Sequence, residues 1–237
     1  MNTKRLNDSN KDSVEVIILA GGLGTRIESE LDSVPKCLAP INERPFLSIL
    51  LNQLKDNGLK NICIATGHMN DKVSDFLKLE NSSLNIRISN EQTPLGTGGA
   101  TKQAIESSKY EYFLIMNGDT YFDIDLQKVI EDGNNQFVIV TCSVPNIERY
   151  GVVTFDSKNT VTSFVEKGLK REGEVNAGVY FLSKKIIDFM PKSNFSLEKE
   201  TFPALIKKSL LFKATKKGSF IDIGTPESYF KAQRELT

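Results

Sequence analysis

The stretch that decides the fold is VEVIILAGG, residues 14–22. Its first six residues, VEVIIL, form a short run that is apolar apart from Glu15 and rich in β-branched side chains, and the stretch ends in glycines. Such a pattern is typical of a buried strand of a parallel sheet that leads into a tight turn. Because ligands of parallel sheets bind beyond the carboxyl ends of the strands, the segments that follow each strand are the first places to look for chemistry.

The alternation of strand and helix continues downstream. A helix is predicted from Pro45, a residue suited to the first turn, to just before Gly58, where a helix-ending glycine belongs. Further strands are predicted at 61–65, 84–89 and 112–116, and further helices at 70–79 and 99–108. This order predicts an α/β fold, with Rossmann-like βαβ units around a mixed, mostly parallel sheet flanked by helices.

The pattern changes after Asp119, where strands follow one another with few helical residues between them. They are predicted at 137–143, 151–155, 161–165 and 175–182, and helices near 197–208 and 226–235 surround a short strand at 220–223. A strand-rich extension of the sheet is therefore expected. Since the sequence has no repeat or linker, we expect a flexible tail over 1–13 and a single domain over 14–237.

The charge balance and the cysteines exclude several classes of protein. The chain has 30 Lys+Arg and 30 Asp+Glu, so it lacks the basic surplus that nucleic acid or an anionic membrane would attract. No window approaches the roughly 18 apolar residues of a membrane span. Three widely spaced cysteines without a CxxC pair fit a reduced cytoplasmic setting better than a structural zinc site.

The glycine-rich segment LAGGLGTR, residues 19–26, predicts a phosphate-binding loop. Gly21, Gly22 and Gly24 would let backbone N–H groups approach a phosphate, and Arg26 adds a permanent cation. Lys36 lies in a stiff stretch between two prolines and suits the same task. Neither the Walker pattern nor the dinucleotide fingerprint fits. The alternative is a tight turn with a surface arginine and a solvated lysine.

Two further segments carry polar residues at strand ends. In EQTPLGTGGA, residues 91–100, Glu91 could accept paired N–H groups of a base while the glycines let a flat ring lie against the backbone. The alternative is a surface glutamate before a helix-capping turn. In NGDT and IDIGTP, Asp119 and Asp222 each lie at or near a strand end, and two converging carboxylates make an oxygen site suited to Mg²⁺.

The pairing of GGxGTR with PK at this spacing resembles the signature of the sugar-1-phosphate nucleotidylyltransferases, and the resemblance runs from Val14 to the final helix. It implies a nucleotide-diphospho-sugar transferase fold and transfer of a nucleoside monophosphate from an NTP to a sugar 1-phosphate, with release of pyrophosphate. It also implies a nucleotide-binding half over 14–135 and a sugar-phosphate-binding half over 136–237. Cys37 departs from the family, which usually has a second proline after PK.

The resemblance also assigns individual residues. The implied catalytic residues are Arg26, Lys36 and Asp119, with Mg²⁺ on Asp119 and Asp222. The implied nucleotide contacts are Leu19, Ala20, Gly21, Gly22, Gly24, Thr25, Arg26, Glu91, Pro94, Gly96, Thr97 and Gly118. The implied sugar-phosphate contacts, in the segments YG, VEKG and NAGVY, are Gly151, Glu166, Lys167, Asn176 and Gly178.

Among subfamilies, PLGTGGA and APIN look most like the guanylyltransferases that act on D-glycero-α-D-manno-heptose 1-phosphate. GTP is the expected nucleotide, because the N1–H and N2–H₂ groups of guanine form a donor pair that Glu91 could accept. The alternatives left open are mannose-1-phosphate guanylyltransferase, N-acetylmuramate-1-phosphate uridylyltransferase, a nucleotidyltransferase for a non-sugar phosphate and a non-catalytic nucleotide-sugar sensor. Since such relatives are commonly dimers or tetramers, the resemblance implies an oligomer, with a homodimer as one of the two forms, and His68 is interpreted as a surface residue.

Overall fold

The structure is a computed structural model that describes residues 13–22, 27, 31, 34–80, 83–133, 136–165 and 171–236. The expected tail therefore lies outside the described residues, apart from Ser13. The strands are β1 (Val14–Leu19), β2 (Pro40–Ile41), β3 (Arg44–Pro45), β4 (Asn61–Thr66), β5 (Asn85–Asn90), β6 (Tyr112–Asn117), β7 (Thr120–Phe122), β8 (Phe137–Val144), β9 (Val152–Phe155), β10 (Val161–Val165), β11 (Gly173–Ser183), β12 (Leu211–Thr215) and β13 (Phe220–Asp222). The α-helices are α1 (Phe46–Asp56), α2 (Asn70–Leu79), α3 (Gly96–Glu106), α4 (Leu126–Gly133), α5 (Phe202–Ile206) and α6 (Pro226–Glu235).

One mixed sheet organises the chain, with strands in the order β10-β9-β11-β6-β1-β4-β5. Strands β6, β1, β4 and β5 are parallel, whereas β11 pairs antiparallel with β6, β8 and β9. The predicted α/β fold, with its parallel core and strand-rich extension, is confirmed. Strands β7 and β13 form a separate antiparallel pair beside the sheet.

Strand β1 pairs with β4 on one side and β6 on the other, and apolar side chains cover both of its faces. Val16 and Ile18 belong to the apolar cluster on one face of the sheet, and Ile17 belongs to the cluster on the other face. Glu15 is only 2% exposed, and Arg87 on β5 neutralises it through Nε and Nη2 at 2.6 and 2.7 Å from the two carboxylate oxygens. A charge inside a sheet is tolerated here because it is paired and hydrogen-bonded.

Several predicted boundaries are wrong for identifiable reasons. Helix α3 begins at Gly96 instead of Gly99, because groups distant in sequence bind its first N–H groups. The helix predicted near 197–208 is a π-helical turn, Leu197–Thr201, followed by the short α5. The sequence analysis missed helix α4 and the short strands β2, β3, β7 and β12, most of which depend on pairing partners rather than on a long apolar run.

Within the part of the chain that the structure describes, each helix is too short or too polar to cross a bilayer.

Candidate active site

The carboxyl ends of β1 and β6 form the floor of the site. The backbone N–H of Gly118 donates to the carbonyl of Leu19 at 2.9 Å, and a Cβ at Gly118 would lie 2.6 Å from that oxygen. The N–H of Ala20 donates to the carbonyl of Ala65 at 2.8 Å. Ala20 and Gly118, both predicted as nucleotide contacts, thus use their N–H groups inside the fold, where Ala20 ties the end of β1 to β4 and Gly118 ties the end of β6 to β1.

A first cavity of about 320 Å³ opens above this floor. It collects most of the predicted nucleotide contacts, together with Asp119 and with two residues that had no predicted role, Ala100 and Asn117. Its lining is Leu19, Gly21, Gly22, Glu91, Pro94, Gly96, Thr97, Ala100, Asn117 and Asp119. Gly24, Thr25 and Arg26 lie outside the described residues.

Glu91 serves its own loop as well as the cavity. Its Oε2 accepts the backbone N–H of Leu95, the residue that precedes α3, at 3.0 Å. Its Oε1 lies under the glycine turn, 3.1 Å from where a Cβ of Gly21 would stand and 2.6 Å from that of Gly67. Burial raises the pKa of Glu91, against the opposite effect of the Leu95 N–H. Glu91 is therefore partly buried, and one of its carboxylate oxygens already accepts a backbone N–H.

The glycines of GTGG serve a purpose that the sequence analysis did not foresee. The N–H groups of Gly98 and Gly99 both donate to the carbonyl of Phe195, at 3.0 and 3.3 Å. A Cβ at Gly98 would lie 2.2 Å from the Phe195 ring, and one at Gly96, whose φ is +72°, would lie 2.5 Å from the Phe195 carbonyl oxygen. Because these glycines have no side chains, the segment around Phe195 can pack against the start of α3. The N–H groups of Gly98 and Gly99, which were expected to face a ligand, are already hydrogen-bonded to that segment.

The pairing of β7 with β13 brings the two predicted metal ligands together. Asp222 is the register partner of Thr120, and the backbone N–H of Ile223 donates to the carbonyl of Asp119 at 2.9 Å. Lys36, which is 11% exposed at its side chain, forms an ion pair with Asp119 through Nζ. The structure therefore joins the PK, GD and IDIGTP segments at one point.

Within the described part of the chain, four groups hold Asp222. Its Oδ2 accepts the Tyr150 hydroxyl at 2.7 Å, and its Oδ1 accepts Arg149 Nη2 at 3.2 Å, the Gly224 N–H at 2.9 Å and the Ser228 hydroxyl at 3.1 Å. Burial raises the pKa of Tyr150, and the neighbouring Asp222 adds to that rise. Tyr150 therefore stays a hydroxyl donor throughout the neutral range.

The donor set at this point fits magnesium. Mg²⁺ commonly takes one or two protein carboxylates and completes its coordination with water and substrate phosphates. Asp119 and Asp222 provide two carboxylates on neighbouring strand ends, and both line one cavity. Among the described residues there is no group of three or more His, Cys, Asp or Glu that could hold a metal by itself. The two carboxylates therefore suit an ion that arrives with phosphate oxygens.

A second cavity of about 220 Å³ adjoins the first, and both are lined by Asn117 and Asp119. It holds three predicted sugar-phosphate contacts, Gly151, Asn176 and Gly178, whereas Glu166 and Lys167 lie outside the described residues. The full lining is Asn117, Asp119, Thr120, Arg149, Tyr150, Gly151, Phe164, Asn176, Gly178, Ser196, Glu198, Phe220, Asp222 and Gly224. Two ligands placed in these cavities would meet beside Asp119.

The sequence analysis missed Arg149, Ser196 and Glu198, all of which line the second cavity. Ser196 accepts the N–H groups of Glu198 and Lys199 and so caps the π-helical turn. A serine followed by acidic residues at SLEKE is a local signal for such a cap, but it does not indicate a cavity.

The surface position predicted for His68 is confirmed, and the three cysteines lie inside the protein. All three cysteines are free and buried, and burial raises the pKa of each to about 12. His68 is exposed. Since a nucleophilic cysteine needs a lowered pKa and access to its substrate, these thiols are structural.

Comparison with known proteins shows the family of the chain. The model of the nucleotidyl transferase family matches residues 15–237. The chain is 38% identical to the D-glycero-α-D-manno-heptose 1-phosphate guanylyltransferase of Campylobacter jejuni over 92% of this chain and 97% of that relative, and 36% identical to the enzyme of the same name from Aneurinibacillus thermoaerophilus over 94% and 98%. The crystal structure of HddC from Yersinia pseudotuberculosis complexed with GMP-PN is 37% identical and superposes with a TM-score of 0.85, covering 94% of this chain and 99% of that one. The chain belongs to the nucleotidyl transferase family.

Proposed function

We propose that the protein transfers GMP from GTP to D-glycero-α-D-manno-heptose 1-phosphate and releases pyrophosphate. The observation that carries the proposal is the pair of adjoining cavities that share Asn117 and Asp119. One has the glycine turn and Glu91, which suit a nucleotide, and the other has Asn176 and the segment around Gly151, which suit a sugar phosphate. The names of the relatives from Campylobacter and Aneurinibacillus supply the substrate pair.

The reaction requires one displacement at phosphorus. A phosphate oxygen of the sugar 1-phosphate attacks the α-phosphorus of GTP, and a new P–O bond forms. The bond between the α-phosphorus and the bridging oxygen of the β-phosphate breaks, and that oxygen leaves with the electron pair as pyrophosphate. No covalent intermediate with the protein is needed, so catalysis consists of positioning two polyanions and neutralising their charge.

The residues at the shared wall have distinct roles in this proposal. Lys36 lies next to Asp119, where the two phosphates would meet, and its ammonium group offsets their negative charge. A Cβ added at Gly22 would have no described atom within 4 Å, so the backbone there leaves room for a phosphate. Arg26 is proposed to stabilise the leaving pyrophosphate, and Lys167 is proposed to bind the phosphate of the sugar. Both roles rest on the family resemblance.

Asp119 and Asp222 are the proposed magnesium ligands. When bound there, Mg²⁺ would supply positive charge beside the reacting phosphates. The cations of the protein prepare this arrangement, because Lys36 pairs with Asp119 and Arg149 pairs with Asp222. Such partners offset the mutual repulsion of two neighbouring carboxylates.

Glu91 is the proposed reader of guanine. Its carboxylate could accept the N1–H and N2–H₂ groups of the base, because each oxygen has two acceptor sites and the Leu95 N–H occupies one of them. Uracil or thymine offers a single N–H and would use Glu91 less fully. If Glu91→Gln keeps the wild-type preference for GTP, this assignment is wrong.

The proposal extends to organisation and setting. Residues 14–135 form the proposed nucleotide-binding half, and among the described residues they alone line the first cavity. Residues 136–237 form the proposed sugar-phosphate-binding half, although Asn117, Asp119 and Thr120 also reach the second cavity. A cytoplasmic enzyme, acting as a homodimer and supplying a nucleotide sugar for capsule or lipopolysaccharide synthesis, completes the proposal.

The test is pyrophosphate release in the presence of Mg²⁺, with ATP, GTP, CTP, UTP and dTTP each paired with heptose, mannose, glucose and N-acetylmuramate 1-phosphates. Turnover restricted to GTP and the manno-configured heptose 1-phosphate is the expected result. Turnover with mannose 1-phosphate, or with UTP and N-acetylmuramate 1-phosphate, would keep the chemistry and replace the substrate pair. Nucleotide binding without turnover across the whole panel would instead favour a non-sugar acceptor or a non-catalytic sensor.

A further inference from the structure

A chain of hydrogen bonds runs through Glu198 from one cavity to the other. Thr97, on the wall of the first cavity, donates its hydroxyl to Glu198 Oε2 at 2.8 Å. The Tyr180 hydroxyl donates to Glu198 Oε1 at 3.0 Å and accepts Nδ2 of Asn176, on the wall of the second cavity, at 2.8 Å. One carboxylate therefore binds groups that belong to both cavities.

The direction of this chain is defined at each step. The backbone N–H of Gly178 can only donate, and it donates to Asn176 Oδ1 at 2.9 Å, so the amide nitrogen of Asn176 faces Tyr180. Tyr180 is fully buried, and burial raises its pKa well above the ordinary value, so its hydroxyl keeps the proton that it donates onward. The chain ends on a carboxylate, which when ionised only accepts.

The turn that carries Glu198 is hydrogen-bonded to Thr97, in the first turn of α3 at the first cavity. Residues Leu197–Thr201 form a single π-helical turn, a rare conformation that often marks functional positions. The backbone N–H of Leu197 donates to Thr97 Oγ1 at 3.0 Å, so this hydroxyl both accepts from the turn and donates to Glu198. A shift of the first turn of α3 would therefore be transmitted to Glu198.

We propose that Glu198 is a positioning residue that couples the two cavities. Through Tyr180 it orients Asn176 toward the sugar phosphate, and through Thr97 it links that orientation to the nucleotide side. This inference rests on the proposed function of the two cavities. It predicts that bound GTP improves the binding of the sugar phosphate, and, since coupling free energies are reciprocal, that the sugar phosphate improves the binding of GTP.

The test compares Glu198→Gln, Tyr180→Phe and the double variant with wild type, by initial rates with GTP and heptose 1-phosphate both varied. A glutamine at 198 would bring an N–H₂ group toward hydroxyls that now donate, and Tyr180→Phe removes one hydroxyl while keeping the ring on Phe202, whose centroid lies 5.0 Å away. Glu200→Gln is the matched control, because Glu200 is exposed on the same turn and, within the described part of the chain, accepts only a backbone N–H, that of Ser196.

Each single variant is expected to raise the KM for heptose 1-phosphate by about 10-fold or more, which is the effect of losing a hydrogen bond to a charged group. The KM of the double variant is expected to be no higher than that of the more impaired single variant, because both changes interrupt one chain of hydrogen bonds. In wild type, raising GTP through its own KM should lower the KM for the sugar phosphate, and the variants should lose that dependence. The control should behave as wild type.

Three results would overturn the inference. Unchanged KM values in Glu198→Gln and Tyr180→Phe, with an active wild type, would remove the coupling and leave the proposed function intact. Additive losses, or a fall in Tm that explains the loss of activity, would mean separate or merely structural roles. An inactive wild type across all substrate pairs would defeat the proposed function, and this inference would fall with it.

Discussion

Replacement of Gly98 by alanine tests whether GTGG serves the docking of a distant segment. Gly98 lies in the first turn of α3, and alanine ordinarily stabilises a helix by about 0.5–1 kcal/mol relative to glycine. Here a Cβ would stand 2.2 Å from Cδ2 and Cε2 of Phe195 and 3.0 Å from its carbonyl oxygen. Phe195 is only 6% exposed, so its ring cannot turn freely into solvent.

The expected cost follows from these contacts. Overpacking of a closely packed site costs about 1–3 kcal/mol. Displacement of Phe195 would also weaken the two hydrogen bonds from Gly98 and Gly99 to its carbonyl, each contributing about 1 kcal/mol. After the gain in helix propensity is subtracted, the net loss is about 2 kcal/mol, which corresponds to a fall in Tm of about 4–8 °C for a chain of this size.

Thermal unfolding measures the effect, with Gly22→Ala as the matched glycine replacement. Among the described residues, no atom lies within 4 Å of a Cβ at Gly22, so its Tm should match that of wild type. Combining Gly98→Ala with Phe195→Leu should cost less than the sum of the single changes, because the smaller side chain makes room. A Gly98→Ala protein as stable as wild type would refute the docking argument.

Three further predictions concern charge and burial. Lys36→Met should lower kcat/KM for pyrophosphate release by about 10²–10³, because the charge that offsets the two phosphates is lost. It should change the free energy of unfolding by less than about 1 kcal/mol, because Asp119 remains partly solvated. A wild-type kcat/KM in this variant would remove Lys36 from the mechanism. Arg87→Leu should lower the free energy of unfolding measured in urea by about 3 kcal/mol, because it leaves the carboxylate of Glu15, whose side chain is 3% exposed, without its ion-pair partner. Adding Glu15→Leu should recover most of that loss. Equal instability of the single and double variants would contradict this. At pH 8 the pKa of about 12 keeps the native thiols protonated, so a thiol reagent should modify them only after unfolding, and rapid native modification would show that burial is not protecting Cys37, Cys63 and Cys142.

Much of the fold was predictable because the relevant signals are local. The apolar run of β1, the glycines after it and the helical spacing of α1 all lie within short windows. The predicted bounds of β1, α2, β10 and α6 match those of the structure. Strands such as β7 and β12 were missed because pairing with β13 and β8, and not a local apolar pattern, makes them strands.

Some residues of the candidate site could likewise be predicted from local motifs, and others could not. Lys36, Asp119 and Asp222 could be singled out from their motifs, and the structure brings them together. Glu198 could not, because its partner Thr97 lies 101 positions away and its role depends on that contact. The purpose of Gly98 was equally hidden, since a glycine that admits Phe195 and a glycine that admits a ligand look the same in a sequence.

The sequence by itself determined the strand and helix order, the glycine turn after β1 and the residue types that can bind phosphate and magnesium. These properties follow from the conformational preferences and chemistry of neighbouring residues. Only the tertiary structure decided which donors remain for a ligand. The N–H groups of Gly98, Gly99 and Gly118 are used inside the fold, and Glu91 is partly committed to Leu95. The physical reason is that a hydrogen-bonding group in a folded protein is shared with whatever the chain brings beside it, and that neighbour is set by packing across long stretches of sequence.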